Sequence, residues 1–234
     1  MKPLKITAEL LDGRVNSADG LFNLDSLIAY AWMKENEPDR LYNGDIMRDG
    51  LIEPDLPLEW REDHWAASSG FYIQVSESIE YWHRHLNGDR AERYVDFNGK
   101  RGTINTKSGE YKAYRMPQTI RVIPSIEFYA MGDPIEIDRL LTKYITNIGK
   151  KSSQGYGHIK SWTIRPVEED WTEKGPYGIM RPTPFNGELP NKEVYQVRSY
   201  GLKPPYWLKD NQSICLIPNV RRDYLVKSAI TDQI

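Results

Sequence analysis

Between Ile148 and Gly157 the chain reads Ile-Gly-Lys-Lys-Ser-Ser-Gln-Gly-Tyr-Gly. Glycines permit positive φ and close backbone approach, while backbone amides, two lysines and two hydroxyls offer donors to a phosphate chain. Gly149, Lys150, Lys151, Ser152, Ser153, Gln154, Gly155, Tyr156, Gly157 and the adjoining His158 are therefore candidate contacts to a phosphate chain. The spacing is not that of a Walker loop, because Gly149 is not followed at the required distance by Gly-Lys-Ser/Thr. Gly155-Tyr156-Gly157 also lacks the third glycine and the preceding strand of a dinucleotide fingerprint, so this loop does not read as a mononucleotide site. A helix C-cap with a tight turn explains Gly149 but not Lys-Lys-Ser-Ser-Gln or the paired Gly155 and Gly157.

Residues 96 to 118 form the second basic segment, with Lys100, Arg101, Lys107, Lys112 and Arg115 set against Asp96 and Glu110. Asn98-Gly99 and Ser108-Gly109 are turn dipeptides, so the segment reads as a protruding hairpin. Tyr111 and Tyr114 interleave with the cations and offer rings on which unpaired bases can stack. A merely solvated hairpin is the plain alternative for this segment alone.

Signals for bond-breaking chemistry are weaker. His83 and His85 have a spacing that could ligate a metal, but no third ligand stands at a recognisable distance, so no metal and no cofactor are expected. His64 and His158 could act as general acid or base in a metal-independent ribonuclease, although a histidine beside Trp65 or at a strand start is more often structural. No Ser-His-Asp arrangement is identifiable, and no residue is assigned a catalytic role.

Charge places these elements in context. The 234 residues carry 31 Lys/Arg and 33 Asp/Glu, net −2, yet the distribution is uneven. Residues 1 to 89 hold 8 basic and 17 acidic side chains, residues 90 to 165 hold 14 and 7, and the remainder hold 9 of each. A basic middle inside a near-neutral chain argues for a polyanion footprint, with acidic surface left for protein partners. The hydrophobic content of 39% fits a globular protein, and no apolar run is long enough for a membrane span. The single Cys215 precludes an internal disulfide, and the start MKPLKITAELL has no secretory signature, so the expected location is cytoplasmic.

The elements that must position the loop and hairpin follow from periodicity. Leu4, Ile6, Ala8 and Leu10 alternate as a first strand, and Asn23 can cap a helix with Leu24, Leu27, Ile28, Ala31 and Trp32 on its apolar side. Residues 36 to 69 read as an irregular insertion, Gly70 to Val75 as a second strand, and Thr119 to Met131 as a third with an edge or bulge at Pro124. Asp133-Pro134-Ile135-Glu136 is a helix start, followed by an apolar stripe from Ile137 to Ile148 that ends at Gly149. His158 to Arg165 reads as a fourth strand. The β-α-β-β-α-β order predicts an α+β, ferredoxin-like (RRM-like) fold, two helices on one sheet face and the other face free to bind. Residues 1 to 166 would form that domain, with insertions at 36–69 and 96–118, and the proline-rich 167–234 an irregular extension or small subdomain.

On these residues the chain resembles the RAMP superfamily of CRISPR-associated proteins, whose members carry a glycine-rich loop after the second helix. FNLDSLIAYAWM (22–33), DLPLEWREDHWAASSGFY (55–72), SGEYKAYRMP (108–117) and IGKKSSQGYGHIKSW (148–162) look like the Cas-five-like subunit of type IV effector complexes. The resemblance spans about residues 1 to 182, including the Met180-Arg181-Pro182 turn. It implies a non-catalytic subunit that grips the 5′ handle of the CRISPR RNA and caps a filament of repeated backbone subunits. A large-subunit-like protein, a helicase and target DNA would be further partners, a separate endoribonuclease would mature the RNA, and no membrane is involved. Residues 149 to 157 would be the RAMP loop and 97 to 117 a thumb-like hairpin around RNA. Two readings stand beside it: a metal-independent CRISPR-RNA endoribonuclease on the same fold, and an acidic-faced protein-interaction module whose basic middle is only solvated.

Overall fold

The computed structural model describes residues 1–43, 52–87, 105–187 and 195–222. Strand β1 (Lys2–Leu10) alternates as its sequence requires, burying Leu4, Ile6, Ala8 and Leu10. The chain turns at Gly13, with φ at 72°, into the short β2 (Arg14–Asn16) and then enters α1 (Leu24–Asn36). Asn23 precedes α1 but does not cap it, contrary to the expectation from sequence. Its amide is taken by tertiary partners instead, donating to the Tyr200 hydroxyl at 3.0 Å and accepting from Ser69 Oγ at 2.8 Å.

The segment expected to be an irregular insertion holds α2 (Pro38–Asn43), then β3 (Trp60–Arg61) paired with β4 (His64–Trp65). It buries Leu56, Leu58, Ala66 and Ala67, and single bridges join Leu58 to Gly132 and Ala67 to Ala130. Next come β5 (Phe71–Tyr72), the long β6 (Ser76–Arg84) and β7 (Tyr114–Val122), which pairs with β6 throughout. Then β8 (Ser125–Gly132), α3 (Pro134–Tyr144) and β9 (Ile159–Pro166) complete the central layer.

The central sheet is antiparallel in the order β5-β8-β1-β9. Helices α1 and α3 cover one face, where Leu24, Ile28, Ala31, Ile137, Leu140 and Leu141 meet Leu4, Ile6, Ile126 and Phe128 in one buried cluster. Asp133 caps α3 as expected, accepting from the amides of Ile135 and Glu136. The helix stops at Tyr144, earlier than its apolar stripe implied, yet Ile145 and Ile148 remain buried in the following loop. Glu35 ties the two helices together by accepting from both guanidinium nitrogens of Arg139 and from Tyr144, contacts that lower its pKa to about 2.

The opposite sheet face is less open than the sequence implied. At the β5–β8 end, Phe71 and Tyr129 are buried against Met180, Trp171 and Tyr177 from the carboxy-terminal segment. That segment contains β10 (Lys174–Gly175) with β11 (Gly178–Ile179), and a three-stranded sheet of β12 (Thr183–Pro184), β14 (Gln212–Ile217) and β13 (Gln196–Gly201). It is fastened at two buried points. Tyr206 donates to both oxygens of Asp25, and the Arg181 guanidinium donates to the carbonyls of Trp65, Ala67 and Leu202. The architecture is α+β, with several antiparallel sheets and few helices. No helix among the described residues is long and apolar enough to cross a membrane.

Candidate functional site

The strand expected over residues 119 to 131 is two strands in two sheets. The chain leaves β7 after Val122 and enters β8 at Ser125, with Ile123 and Pro124 as the joint. Ile123 donates its amide to Gly13 and Pro124 accepts from Leu10, so a proline that lacks its own N–H sits where the ladder changes hands. The strand expected over Gly70 to Val75 shortens to Phe71–Tyr72 in the central sheet, and a strand not expected from sequence, from Ser76 onward, joins a second sheet, β2-β7-β6. The hairpin is thus longer than residues 96 to 118, with a paired stem running from Ser76↔Val122 to Arg84↔Tyr114.

Strand pleating gives this stem two faces. Glu80, Trp82, Tyr114 and Gln118 share one, and it meets the glycine-rich loop. Lys151 places its Nζ 3.2 Å from the centroid of the Trp82 ring, and Tyr114 stands edge-on to the same ring at 5.5 Å. Tyr156 donates to Glu80 Oε2 at 2.7 Å and Arg14 to Glu80 Oε1 at 2.6 Å. The two donors hold the Glu80 carboxyl below its ordinary pKa, and the carboxylate in turn raises the pKa of Tyr156. Asn16, on β2 between them, donates to Gln118 at 2.9 Å. Loop and hairpin, separate in sequence, are joined along one seam.

The loop's own shape depends on two close approaches. A Cβ on Gly157 would lie 1.8 Å from the Ile148 carbonyl oxygen, and one on Gly149 would lie 2.7 Å from that of Asn16. Lys151 itself adopts a left-handed φ of 62°, a conformation that costs a non-glycine residue about 1 kcal/mol. Its contact with Trp82 offsets that cost. The amides of Lys150, Gln154, Gly155 and Gly157 all donate to backbone carbonyls, of Asn16, Lys151, Ser152 and Arg14 respectively. Part of the amide cradle expected from sequence is therefore committed inside the protein, and the loop also presents side chains: Lys150, Ser152, Ser153 and Gln154 are exposed.

The remaining sequence candidates divide between places. Lys107, Tyr111 and Lys112 stand exposed on the 105–113 turn beyond the paired stem, where Asn105 Oδ1 accepts from the amides of Lys107 and Ser108. Arg115 lies on the stem's other face, its guanidinium carbon 3.9 Å from the Tyr81 ring centroid. The pair borders an open groove of about 660 Å³ that also touches His83 and His85. Lys100 and Arg101, with the Asn98-Gly99 turn, lie outside the described residues. His158 is exposed at the start of β9, whereas His64 is held by Asp63 at 2.8 Å and faces Glu173 at 3.4 Å.

Sequence reasoning missed Arg14, Asn16, Glu80, Trp82 and Gln118. One signal was present, because Ser76, Ser78, Glu80, Trp82 and Arg84 alternate along SESIEYWHR, a period-two pattern that puts Glu80 and Trp82 on one side. Arg14 and Asn16 carry no local signal, since their role comes from tertiary pairing of β2 with β7.

Compared with known proteins, residues 2–218 match the family model described as CRISPR type IV associated protein Csf3. No curated protein matches the chain.

Proposed function

Because the chain belongs to the Csf3 family of CRISPR type IV associated proteins, we propose that it is an RNA-binding structural subunit of a type IV complex. It holds the 5′ handle of the CRISPR RNA and caps one end of the backbone filament, without cleaving the RNA. The observation that carries this reading is the seam between loop and hairpin, where Lys151 over Trp82 and Tyr156 on Glu80 align two basic elements along one surface. Lys150, Lys151 and the exposed loop hydroxyls position phosphates, and the ring of Trp82 or Tyr114 supplies a stacking face for a splayed base. The strand order β5-β8-β1-β9, with α1 and α3 on one face, supports the ferredoxin-like RAMP reading of residues 1–166, with 167–234 as an extension that packs Trp171, Tyr177 and Met180 onto it.

The test is a salt titration of binding to labelled CRISPR RNA with and without its handle, for wild type and Lys150→Ala/Lys151→Ala, while the RNA is inspected for cuts. Handle-dependent affinity, a shallower salt slope in the variant and intact RNA are expected, because each lost phosphate contact lowers the slope by about one. Equal weak binding to every RNA overturns the reading. The groove beside Arg115 and Tyr81 favours one second reading, an endoribonuclease using His83 or His85 to activate a ribose hydroxyl. Cut RNA that becomes intact on substitution of these histidines, with binding retained, would establish it.

A further inference from the structure

A second basic concavity lies where the carboxy-terminal sheet meets the turn after β2. Among the described residues it is a cleft of about 650 Å³ whose walls bring together Arg121 of β7, Arg198 of β13 and Arg221, with Asp19 as the carboxylate in its lining. Three guanidinium groups therefore face one carboxylate, within a volume suited to a small ligand.

The arginines are not equivalent. Arg121 is buried and committed, donating to the Ser17 carbonyl, to the Ala18 carbonyl at 3.3 Å and pairing with Glu77 at 3.2 Å. It gives the cleft a fixed wall whose charge Glu77 offsets. Arg198 is the adaptable one: its contact with Asp19 Oδ2 is long, 3.5 Å, and its Nε is buried with no hydrogen-bond partner. An unfilled buried donor is costly, and a phosphate oxygen is the acceptor that a planar guanidinium fits best. Asp19 is held from its other oxygen by the Leu21 amide at 3.2 Å, so it stays in place when Arg198 turns away. Tyr72 and Tyr195 add aromatic wall and Asn219 an amide able to meet a base edge.

We propose that this cleft binds the phosphate of a nucleotide unit, Arg198 exchanging its long contact with Asp19 for the phosphate. The phosphate arrives either within a single-stranded RNA or on a free mononucleotide. The site goes beyond the loop–hairpin seam and does not rest on it, since a mononucleotide titration reports it alone.

The test is calorimetric titration of the full chain with adenosine 5′-monophosphate, with adenosine, and with a single-stranded RNA hexamer. Folding of each variant is checked by thermal melting. Saturable binding of the monophosphate, tenfold or more weaker in Arg198→Gln, is expected, with Lys160→Ala as the unaffected reference. Asp19→Asn, which removes the competing negative charge but keeps an oxygen for the Leu21 amide, should tighten binding several-fold, an effect a merely structural role does not give. Preference for the hexamer would assign the phosphate to an RNA strand and preference for the monophosphate to a free nucleotide; both support the site. Adenosine binding as well as its monophosphate, absence of saturable binding to both phosphate probes, or indifference to both substitutions overturns it.

Discussion

The ammonium of Lys151 stands 3.2 Å above the Trp82 ring, joining the glycine-rich loop to the hairpin stem with a residue that holds a left-handed backbone conformation to do so. Trp82→Ala should remove both this contact and the edge of Tyr114. Exposed cation–π pairs contribute about 0.5–1 kcal/mol, so the seam should loosen without global unfolding. Faster amide exchange over residues 149–157 with an almost unchanged melting temperature is the expected result. Unchanged exchange would mean that the tryptophan does not hold the loop.

Gly157 and Gly155 offer a matched contrast. Both have positive φ, 67° and 88°, but only Gly157 faces a carbonyl, at 1.8 Å from a would-be Cβ, while nothing lies within 4 Å of one on Gly155. Gly155→Ala should cost about 1 kcal/mol of backbone strain, and Gly157→Ala clearly more because Ile148 must move. Urea denaturation of the two variants measures the difference, and equal losses would show that crowding at Ile148 is relieved elsewhere.

The seam should respond to acid. Glu80 has a folded pKa below its ordinary value because Tyr156 and Arg14 donate to it. Its contribution is complete above the unfolded pKa and is lost as pH falls through the folded one. Loop protection should therefore hold at neutral pH and decline below about pH 4, and Glu80→Gln should flatten that decline. A decline of the same size in the variant would assign it to other carboxyls.

Asp25 behaves in the opposite sense. Burial raises its pKa, with Arg181 and the Tyr206 hydrogen bond opposing the shift. The folded state thus prefers the neutral acid, and stability is withdrawn as pH rises from the unfolded pKa, about 3.9, towards the folded one. Asp25→Asn should gain on wild type between pH 4 and pH 7 in chemical-denaturation midpoints. A gap that narrows over this range would show that the favourable partners outweigh burial.

Asp133→Ala should destabilise the protein by about 1 kcal/mol, since the side chain accepts from two orphan amides at the start of α3. Asp133→Asn and Asp133→Ser should recover most of that loss in thermal melts. Failure of both to do so would place the effect outside the cap.

What was legible in the sequence was what local chemistry determines. β1, α3 with its Asp133 cap, β9 and the glycine-rich loop follow from period-two or helical spacing and from residues that only suit a turn. What was not legible depends on partners distant in the chain. Ile120, Val122, Ile126 and Phe128 keep one alternation across Pro124, which signals an edge or bulge but not that the first two belong to one sheet and the last two to another. Asn23 has the side chain of a cap but spends it on Tyr200 and Ser69. In the site, the glycines and lysines announced the loop, but not that the amides of Lys150, Gln154, Gly155 and Gly157 are used internally, nor that Glu80 and Trp82 complete it.

The joint at Ile123–Pro124 gives the hairpin a mechanical character. β7 passes into β8, an inner strand of the central sheet, with only two residues between, pinned by hydrogen bonds to the end of β1 and to the turn after it. A load applied at the hairpin is delivered directly into the central sheet, with little slack to absorb it. The stem is thus a cantilever rooted in the core, and whatever it leans on is felt by the whole central sheet.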